Sequence, residues 1–120
     1  MTGRRAAYRY GRRGESIAAW WLRLKGYRIL ARGFRVPVGE VDIIARRGSV
    51  LAFVEVKARA GMEAAAEALR PRQQIRIVRA AQAFQAARPG LADLQPRFDA
   101  VLIVPGRLPR HLPDAWRPTA

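Results

Sequence analysis

The chain lacks cysteine altogether and contains one histidine, His111, among its 120 residues. Disulfides and cysteine-based zinc sites are therefore excluded, and a single histidine disfavours a histidine-based zinc site or a Ser-His-Asp triad. No run of roughly 18 apolar residues occurs, so no membrane-spanning helix is expected. The N-terminal stretch also lacks the apolar segment and small-residue cleavage site of a signal peptide. These absences favour a cytoplasmic protein.

Acidic residues are scarce. Lys and Arg number 23 against 9 Asp and Glu, which gives a net charge of +14, and all the basic residues except Lys25 and Lys57 are arginines. This excess favours a polyanionic partner, DNA or RNA, because the arginine fork suits phosphate. A solvated basic surface, or the arginine bias of a GC-rich genome, is the simpler alternative. An anionic membrane is disfavoured, since no long helix sets a basic face against an aromatic one.

The length and the 50% hydrophobic content fit one domain with a modest core. Residues 1–13 carry five arginines and no acid, and we expect them to form a flexible basic arm. Residues 14–104 are predicted to form the folded domain. Residues 105–120 are rich in proline, and we expect a tail without regular structure, in which Trp116 could dock on the body.

The hydrophobic pattern predicts the order helix, three strands, helix, strand. In the first helix, Ile17, Trp21 and Leu24 recur at helical spacing, and Ala18 and Leu22 widen this stripe. Four strands are predicted at residues 27–36, 40–47, 50–59 and 98–104, and a second helix at residues 71–87. The fold class expected from this order is an α/β sandwich around a short mixed sheet.

Charged residues interrupt the second and third strands, which are otherwise apolar. If Gly48 and Ser49 form a two-residue hairpin loop, Asp42 lies opposite Glu55, and Glu40 lies opposite Lys57. Opposed residues on antiparallel strands point to the same face, with Cβ atoms about 4.5–5.5 Å apart. All four charged side chains are therefore predicted to share one face of the hairpin.

Asp42 facing Glu55 is a like-charge pair, which destabilises a hairpin unless a cation compensates it. Carboxylate oxygens suit Mg²⁺ or Mn²⁺, and such a metal activates water and stabilises phosphoryl charge. Lys57 could orient that water or neutralise the transition state, and Glu15, at the start of the first helix, could add a third carboxylate. The alternative for Glu40 and Lys57 is a simple cross-strand ion pair on a solvated face.

The same segments carry a family resemblance. The motifs are Gly14-Glu15 opening a helix, Gly39-Glu40-Val41-Asp42, Phe53-Val54-Glu55-Val56-Lys57-Ala58-Arg59, a second helix, and Arg97-Phe98-Asp99. Together they resemble the YraN family of small bacterial proteins, which is similar to archaeal Holliday-junction resolvases and to the PD-(D/E)XK nuclease superfamily. The resemblance extends from about Gly11 to Val104.

This resemblance implies a restriction-endonuclease-like fold of the order α-β-β-β-α-β. It assigns Asp42 and Glu55 to the superfamily's metal-binding acids, Lys57 to the catalytic lysine, and Glu15 to the acid on the resolvases' first helix. One departure is Gln73, which stands where the family often has lysine. We expect nucleic-acid phosphates to be bound by a set of residues comprising Arg9, Arg12, Arg13, Arg59, Arg72, Gln73, Arg76 and Arg79.

The sequence thus predicts a Mg²⁺- or Mn²⁺-dependent endonuclease that acts on branched or repair-intermediate DNA in the cytoplasm, where it could associate with the nucleoid. One alternative is a catalytically silent nuclease fold that binds DNA or RNA within a repair or recombination complex. Another is a basic structural protein that binds RNA or ribosomes. A symmetric junction cut would require a homodimer, although the sequence indicates no dimer surface. Asp99 is interpreted as a polar residue at a strand start, and His111 as a non-catalytic tail residue.

Overall fold

The computed structural model describes residues 14–60 and 70–118. Residues 14–24 are helical and are called α1. The other elements are β1 (Arg28–Val36), β2 (Gly39–Arg47), β3 (Val50–Ala58), α2 (Pro71–Ala86), a short 3₁₀ turn (Pro89–Leu91), β4 (Gln95–Ile103) and β5 (Arg110–Leu112). The predicted basic arm at residues 1–13 lies outside the described residues.

The five strands form one mixed sheet in the order β1-β2-β3-β4-β5. Neighbouring strands are antiparallel except β3 and β4, which are parallel and are connected through α2. A parallel pair requires a crossover of this kind, because the chain must return to the end of the sheet at which both strands begin. The predicted α/β sandwich around a mixed sheet is confirmed, with one strand more than the sequence pattern indicated.

The predicted register of the β2–β3 hairpin is also confirmed. Arg47 pairs with Val50 across a two-residue loop, and the ladder continues to Ile43 and Val54. Gly48, the first loop residue, has a φ of +60°, which glycine adopts without steric cost. Beyond Ile43 the backbone ladder stops, and the next residue of β2 is Asp42.

The core has one layer on each face of the sheet. Ala18, Ala19 and Leu22 of α1 pack on one face, while α2 packs on the other face through Ile77 and Phe84. The predicted stripe of α1 is wrong in part, because Ile17 and Leu24 are 41% and 62% exposed while Ala18 and Leu22 are fully buried. Small alanine side chains let the helix approach the sheet closely, which turns the larger residues outward.

The expectation of an irregular C-terminal tail is wrong at residues 110–112. These residues form β5, in which His111 pairs with Val101 of β4. Trp116 docks as predicted, with its ring 4.6 Å from that of Phe98. None of the helices within the described ranges has the length and apolar character needed to span a bilayer.

Candidate active site

Asp42 lies where β2 separates from β3. Its Oδ2 accepts a hydrogen bond of 2.8 Å from the backbone N–H of Val56, so the side chain replaces the backbone carbonyl that a continued ladder would supply. A side-chain hydrogen bond between Asp42 and Glu55 lowers the pKa of Asp42 and raises the pKa of Glu55. Because two ionised carboxylates cannot hydrogen-bond each other, this contact holds one proton between them.

The proton is retained because Glu55 is shielded from water. Glu55 is 8% exposed. Burial raises its pKa to about 8, and the neighbouring Asp42 carboxylate adds to this effect, while Lys57 opposes it. Burial also raises the pKa of Asp42, against the hydrogen bond from Val56. Near neutral pH Glu55 therefore stays largely protonated, and the pair does not carry two full negative charges.

Lys57 and Gln73 complete the polar group around Glu55. The Lys57 Nζ lies 3.6 Å from Glu55 Oε1 and donates to Gln73 Oε1 at 3.2 Å. The Gln73 Nε2 donates to Glu55 Oε1 at 2.7 Å. Gln73 on α2 thus bridges the lysine and the carboxyl group. The sequence indicated this position only through the family resemblance and assigned it to phosphate binding.

Glu40 does not pair with Lys57, and the cross-strand pair predicted between them is wrong. Its carboxylate accepts hydrogen bonds from Arg76, at 3.1 Å from Nε to each oxygen and 2.5 Å from Nη2 to Oε2. The cause is the early end of the β2–β3 ladder at Ile43 and Val54, so that near Glu40 strand β2 remains paired only with β1, where Glu40 lies opposite Arg35. Three of the four charged residues nevertheless lie on the same side of the sheet, because Glu40, Glu55 and Lys57 all contact α2.

A glycine makes the contact between β2 and α2 possible. A Cβ atom on Gly39 would lie 1.9 Å from the backbone carbonyl oxygen of Arg76. No side chain fits in that space, so only glycine allows the strand and the helix backbone to touch. This contact brings Arg76 within reach of Glu40.

Glu15 is placed by the packing of α1. A Cβ atom on the preceding Gly14 would lie 3.1 Å from Ala58 Cβ and 3.6 Å from Val56 Cγ1. This packing is on the face of the sheet opposite to α2, whereas Glu55 and Lys57 contact α2. Within residues 14–60 and 70–118, no group of three or more carboxylate or imidazole side chains is arranged to hold a metal ion. The third-ligand role of Glu15 remains a prediction.

The candidate phosphate-binding residues divide into three groups. Arg59, Arg72 and Arg79 are exposed, with Arg59 just beyond β3 and Arg72 next to Gln73. Two candidates are engaged within the protein, Arg76 with Glu40 and Gln73 with Lys57 and Glu55. The remaining candidates, which are Arg9, Arg12 and Arg13, lie outside the described residues.

A second polar cluster surrounds Asp99, which lies in the middle of β4 and not at a strand start as interpreted from the sequence; the cluster was not recognised from the sequence. Asp99 is fully buried and accepts hydrogen bonds from Arg97 at 2.8 and 2.7 Å, from His111 at 2.8 Å, and from the Asp114 backbone N–H at 3.0 Å. Burial opposes ionisation of Asp99, but these donors outweigh it and lower its pKa to about 2. Lys25 Nζ lies 2.5 Å from His111 Nδ1. The cluster ties the C-terminal segment to the body of the domain.

Fold and site together define a small α/β protein that carries a largely buried pair of carboxyl groups and a lysine where two strands separate. Residues 14–103 match the family described as "Uncharacterised protein family UPF0102". The chain is 60% identical over 113 residues to a UPF0102 protein of Parvibaculum lavamentivorans, covering 94% of this chain and 85% of that protein. It is 58% identical over 116 residues to UPF0102 protein amb4503 of Paramagnetospirillum magneticum, covering 93% and 90%.

The chain therefore belongs to the UPF0102 family, which is YraN-like. The family membership inferred from the motifs is confirmed by this match. The family description and the names of these relatives state no activity.

Proposed function

We propose that the protein is a metal-dependent endonuclease that hydrolyses phosphodiesters in DNA, with a restriction-endonuclease-like fold. The observation that carries this proposal is the pair of Asp42 and Glu55, in which Glu55 is buried and Asp42 half-buried, with the Lys57 ammonium 3.6 Å from Glu55 Oε1. Two acids that share a proton in a water-poor site are a costly arrangement for stability alone. Perturbed carboxyl groups with a charged partner are typical of functional sites.

The donor set fits a hard divalent cation. Asp42 and Glu55 would hold Mg²⁺ or Mn²⁺ through carboxylate oxygens, and Glu15 is the candidate for a further ligand. When bound, the cation would supply polarisation of the phosphate and a more acidic water. Loading requires the shared proton to leave, since ligating carboxylates must be ionised.

Lys57 and Gln73 act on the substrate side of this arrangement. Lys57 would place its ammonium against the phosphate oxygens, where negative charge grows in the transition state. Gln73 holds the Lys57 and Glu55 side chains in fixed positions relative to each other through its two hydrogen bonds. The net charge of +14 and the exposed arginines Arg59, Arg72 and Arg79 would hold the flanking phosphates. Branched DNA is the substrate class that the resolvase-like motifs favour, and a symmetric cut of a junction would need two copies of the site.

The decisive experiment is cleavage of linear, forked and four-way DNA in Mg²⁺, in Mn²⁺ and in EDTA. We expect metal-dependent products from the wild type, and a loss of at least about 100-fold in Glu55→Gln, because the variant lacks a ligand and its charge. Asp93→Asn is the matched control, since it removes one acid from an exposed loop position. Failure of the wild type to cut any substrate, or full activity in Glu55→Gln, rejects the proposal.

One observation favours a second candidate, a nuclease fold that binds nucleic acid without cutting it. Gln73 hydrogen-bonds both Lys57 and Glu55, so the site is satisfied by the protein's own groups. Tight, salt-sensitive binding with no metal-dependent turnover would select this candidate. Measuring DNA and RNA affinities at matched salt would show whether RNA is the preferred partner.

A further inference from the structure

A pocket of about 210 Å³ lies beside α2 and is bounded on its far side by the C-terminal segment. Its apolar wall is formed by Pro71, Ile75, Val78 and Trp116. Ile75 is 51% exposed, although most large apolar side chains of α2 face the sheet. The pocket is therefore an apolar surface outside the core and separate from the carboxyl pair.

Trp116 gives the pocket a flat aromatic wall. Its indole ring packs against Phe98 at a centroid distance of 4.6 Å and an interplanar angle of 33°. The same side chain lines the pocket. Its Nε1 is buried and has no hydrogen-bond partner within the part of the chain that the structure describes, which is uncommon for a tryptophan donor.

The rim of the pocket is polar and basic. Gln74, Arg79 and Gln82 line it, and Arg79 is exposed. Amide groups can donate to and accept from the edge of a heterocycle, while an arginine can hold a phosphate. The apolar wall includes an aromatic ring, and amides and a cation lie at its rim. Such a pocket is complementary to a ligand in which a flat polar ring is attached to an anionic group.

The pocket begins next to the candidate active site. Pro71 and Gln74 line the pocket, and Gln73, between them in sequence, contacts Glu55 and Lys57. From Pro71 to Gln82 the helix rises roughly 16 Å. A strand whose phosphate lies at the carboxyl pair can therefore place a neighbouring base along α2.

We propose that this pocket receives an unpaired nucleobase of the DNA strand held at the active site. The inference rests on the proposed function, because it takes DNA as the substrate. It adds a preference for DNA in which a base is free to leave the stack, such as a bulge, gap or branch point. Aromatic stacking binds single bases with little dependence on sequence, and a base that is already unpaired needs little energy to be turned out.

The test compares two labelled duplexes that differ in one base. Each has a single-nucleotide bulge, which carries thymine in one duplex and an abasic residue in the other, so the phosphates are identical. Binding is measured by fluorescence anisotropy in EDTA, where no cleavage occurs. We expect the wild type to bind the thymine bulge at least about fivefold more tightly than the abasic bulge.

The pocket variant is Ile75→Ser, and we expect it to bind both duplexes equally. Ile17→Ser is the matched control, because Ile17 is 41% exposed and lies on α1, which packs on the other face of the sheet. The control should keep the wild-type ratio. Gln82→Ala provides a second pocket variant with an exposed position, and it replaces Ile75→Ser if that protein fails to fold by circular dichroism.

Equal binding of the two duplexes by the wild type overturns the inference, as does an unchanged ratio in a folded pocket variant. The proposed function is judged separately by metal-dependent cleavage. Cleavage without base discrimination would reject the pocket and keep the nuclease. Base discrimination without cleavage would keep the pocket and reject the nuclease, and absence of DNA binding would reject both.

Discussion

At the scale of single residues, the shared proton of Asp42 and Glu55 determines how the site responds to its surroundings. Glu55 is buried and Asp42 half-buried, and a hydrogen bond joins the two carboxyl groups. A cation or a rise in pH must remove that proton before both acids are ionised. The neighbouring Lys57 and Gln73 limit the cost of this change, because each contacts Glu55 directly.

This arrangement predicts that the metal-free protein loses stability as pH rises. The pKa of Glu55 is raised to about 8 in the fold from an ordinary value of 4.5. The contribution of Glu55 to the free energy of unfolding is therefore fully present below the pKa that Glu55 has in the unfolded chain. It is lost as pH rises through the pKa that Glu55 has in the folded protein. We expect the free energy of unfolding in EDTA to fall between pH 5 and 9 by an amount on the order of a few kcal/mol.

Urea denaturation at several pH values checks this expectation. The lowered pKa of Asp99, about 2, acts below this window and does not interfere. Glu55→Gln should flatten the decline, since glutamine does not titrate. Equal slopes for the wild type and Glu55→Gln would contradict the shared-proton description.

Gln73 allows a second prediction at this scale. In Gln73→Lys, an ammonium replaces the amide beside Glu55 and favours its ionised form. We expect the onset of cleavage to move to lower pH by about one unit, and DNA affinity to rise. Ala86→Lys, at an exposed position near the other end of α2, adds the same charge far from Glu55. The prediction fails if both variants shift the pH profile of cleavage alike.

At the scale of elements, the site depends on how closely β2 and α2 approach each other. Gly39 touches the backbone of Arg76, and the next residue, Glu40, is hydrogen-bonded to the Arg76 side chain. This contact fixes α2 on the sheet near the helix turn that carries Gln73. The position of Gln73 against Glu55 and Lys57 therefore depends on a glycine outside the site.

Gly39→Ala should consequently destabilise the protein by about 1–3 kcal/mol, because backbone atoms must move to admit the methyl group. It should also weaken cleavage by displacing Gln73. Gly90→Ala is the control, since a Cβ atom there meets nothing within 4 Å. Denaturation of both variants gives the comparison, and a loss of stability in Gly90→Ala equal to that in Gly39→Ala would show that the contact has no special role.

At the scale of the whole molecule, the charge is the dominant property. A net charge of +14 makes counterion release a large part of any nucleic-acid binding. The described arginines that flank the site and are exposed include Arg72 and Arg79. Arg76 differs from them, because Glu40 already neutralises it.

We therefore expect Arg72→Ala and Arg79→Ala each to reduce the slope of log affinity against log salt by about 0.7–0.9. Arg76→Ala should change the slope less, since its charge is paired within the protein. Titrations of one DNA duplex across a range of salt concentrations measure these slopes. Equal slope changes in all three variants would place Arg76 in the phosphate-binding group after all.

The sequence predicted the parts of this molecule that depend on local pattern. The two-residue loop and the period-two alternation fixed the pairing of Ile43 with Val54, because a shift of one residue would expose the apolar side chains. Contacts between distant elements were not predictable in this way. The link from Gln73 to Glu55 and the pairing of Glu40 with Arg76 depend on where α2 lies on the sheet, which hydrophobic periodicity does not specify.

The cluster around Asp99 was missed for a related reason. A lone aspartate at a predicted strand start and a histidine in a proline-rich stretch carry no common motif. Their partnership arises only when β5 aligns with β4, and three residues offer too short a pattern to indicate a strand. The four donors to Asp99 come from both sides of that pairing.

The contact between Lys25 and His111 joins residues that are 86 positions apart, whereas Gln73 and Glu55 are separated by 18. Loop closure grows costlier with separation, so distant contacts tend to form late in folding. The β2–β3 hairpin and α2 can thus assemble the carboxyl pair before β5 closes the sheet. The refolding chain would then assemble its candidate active site first, and would bring His111 and Asp114 to the buried Asp99 last.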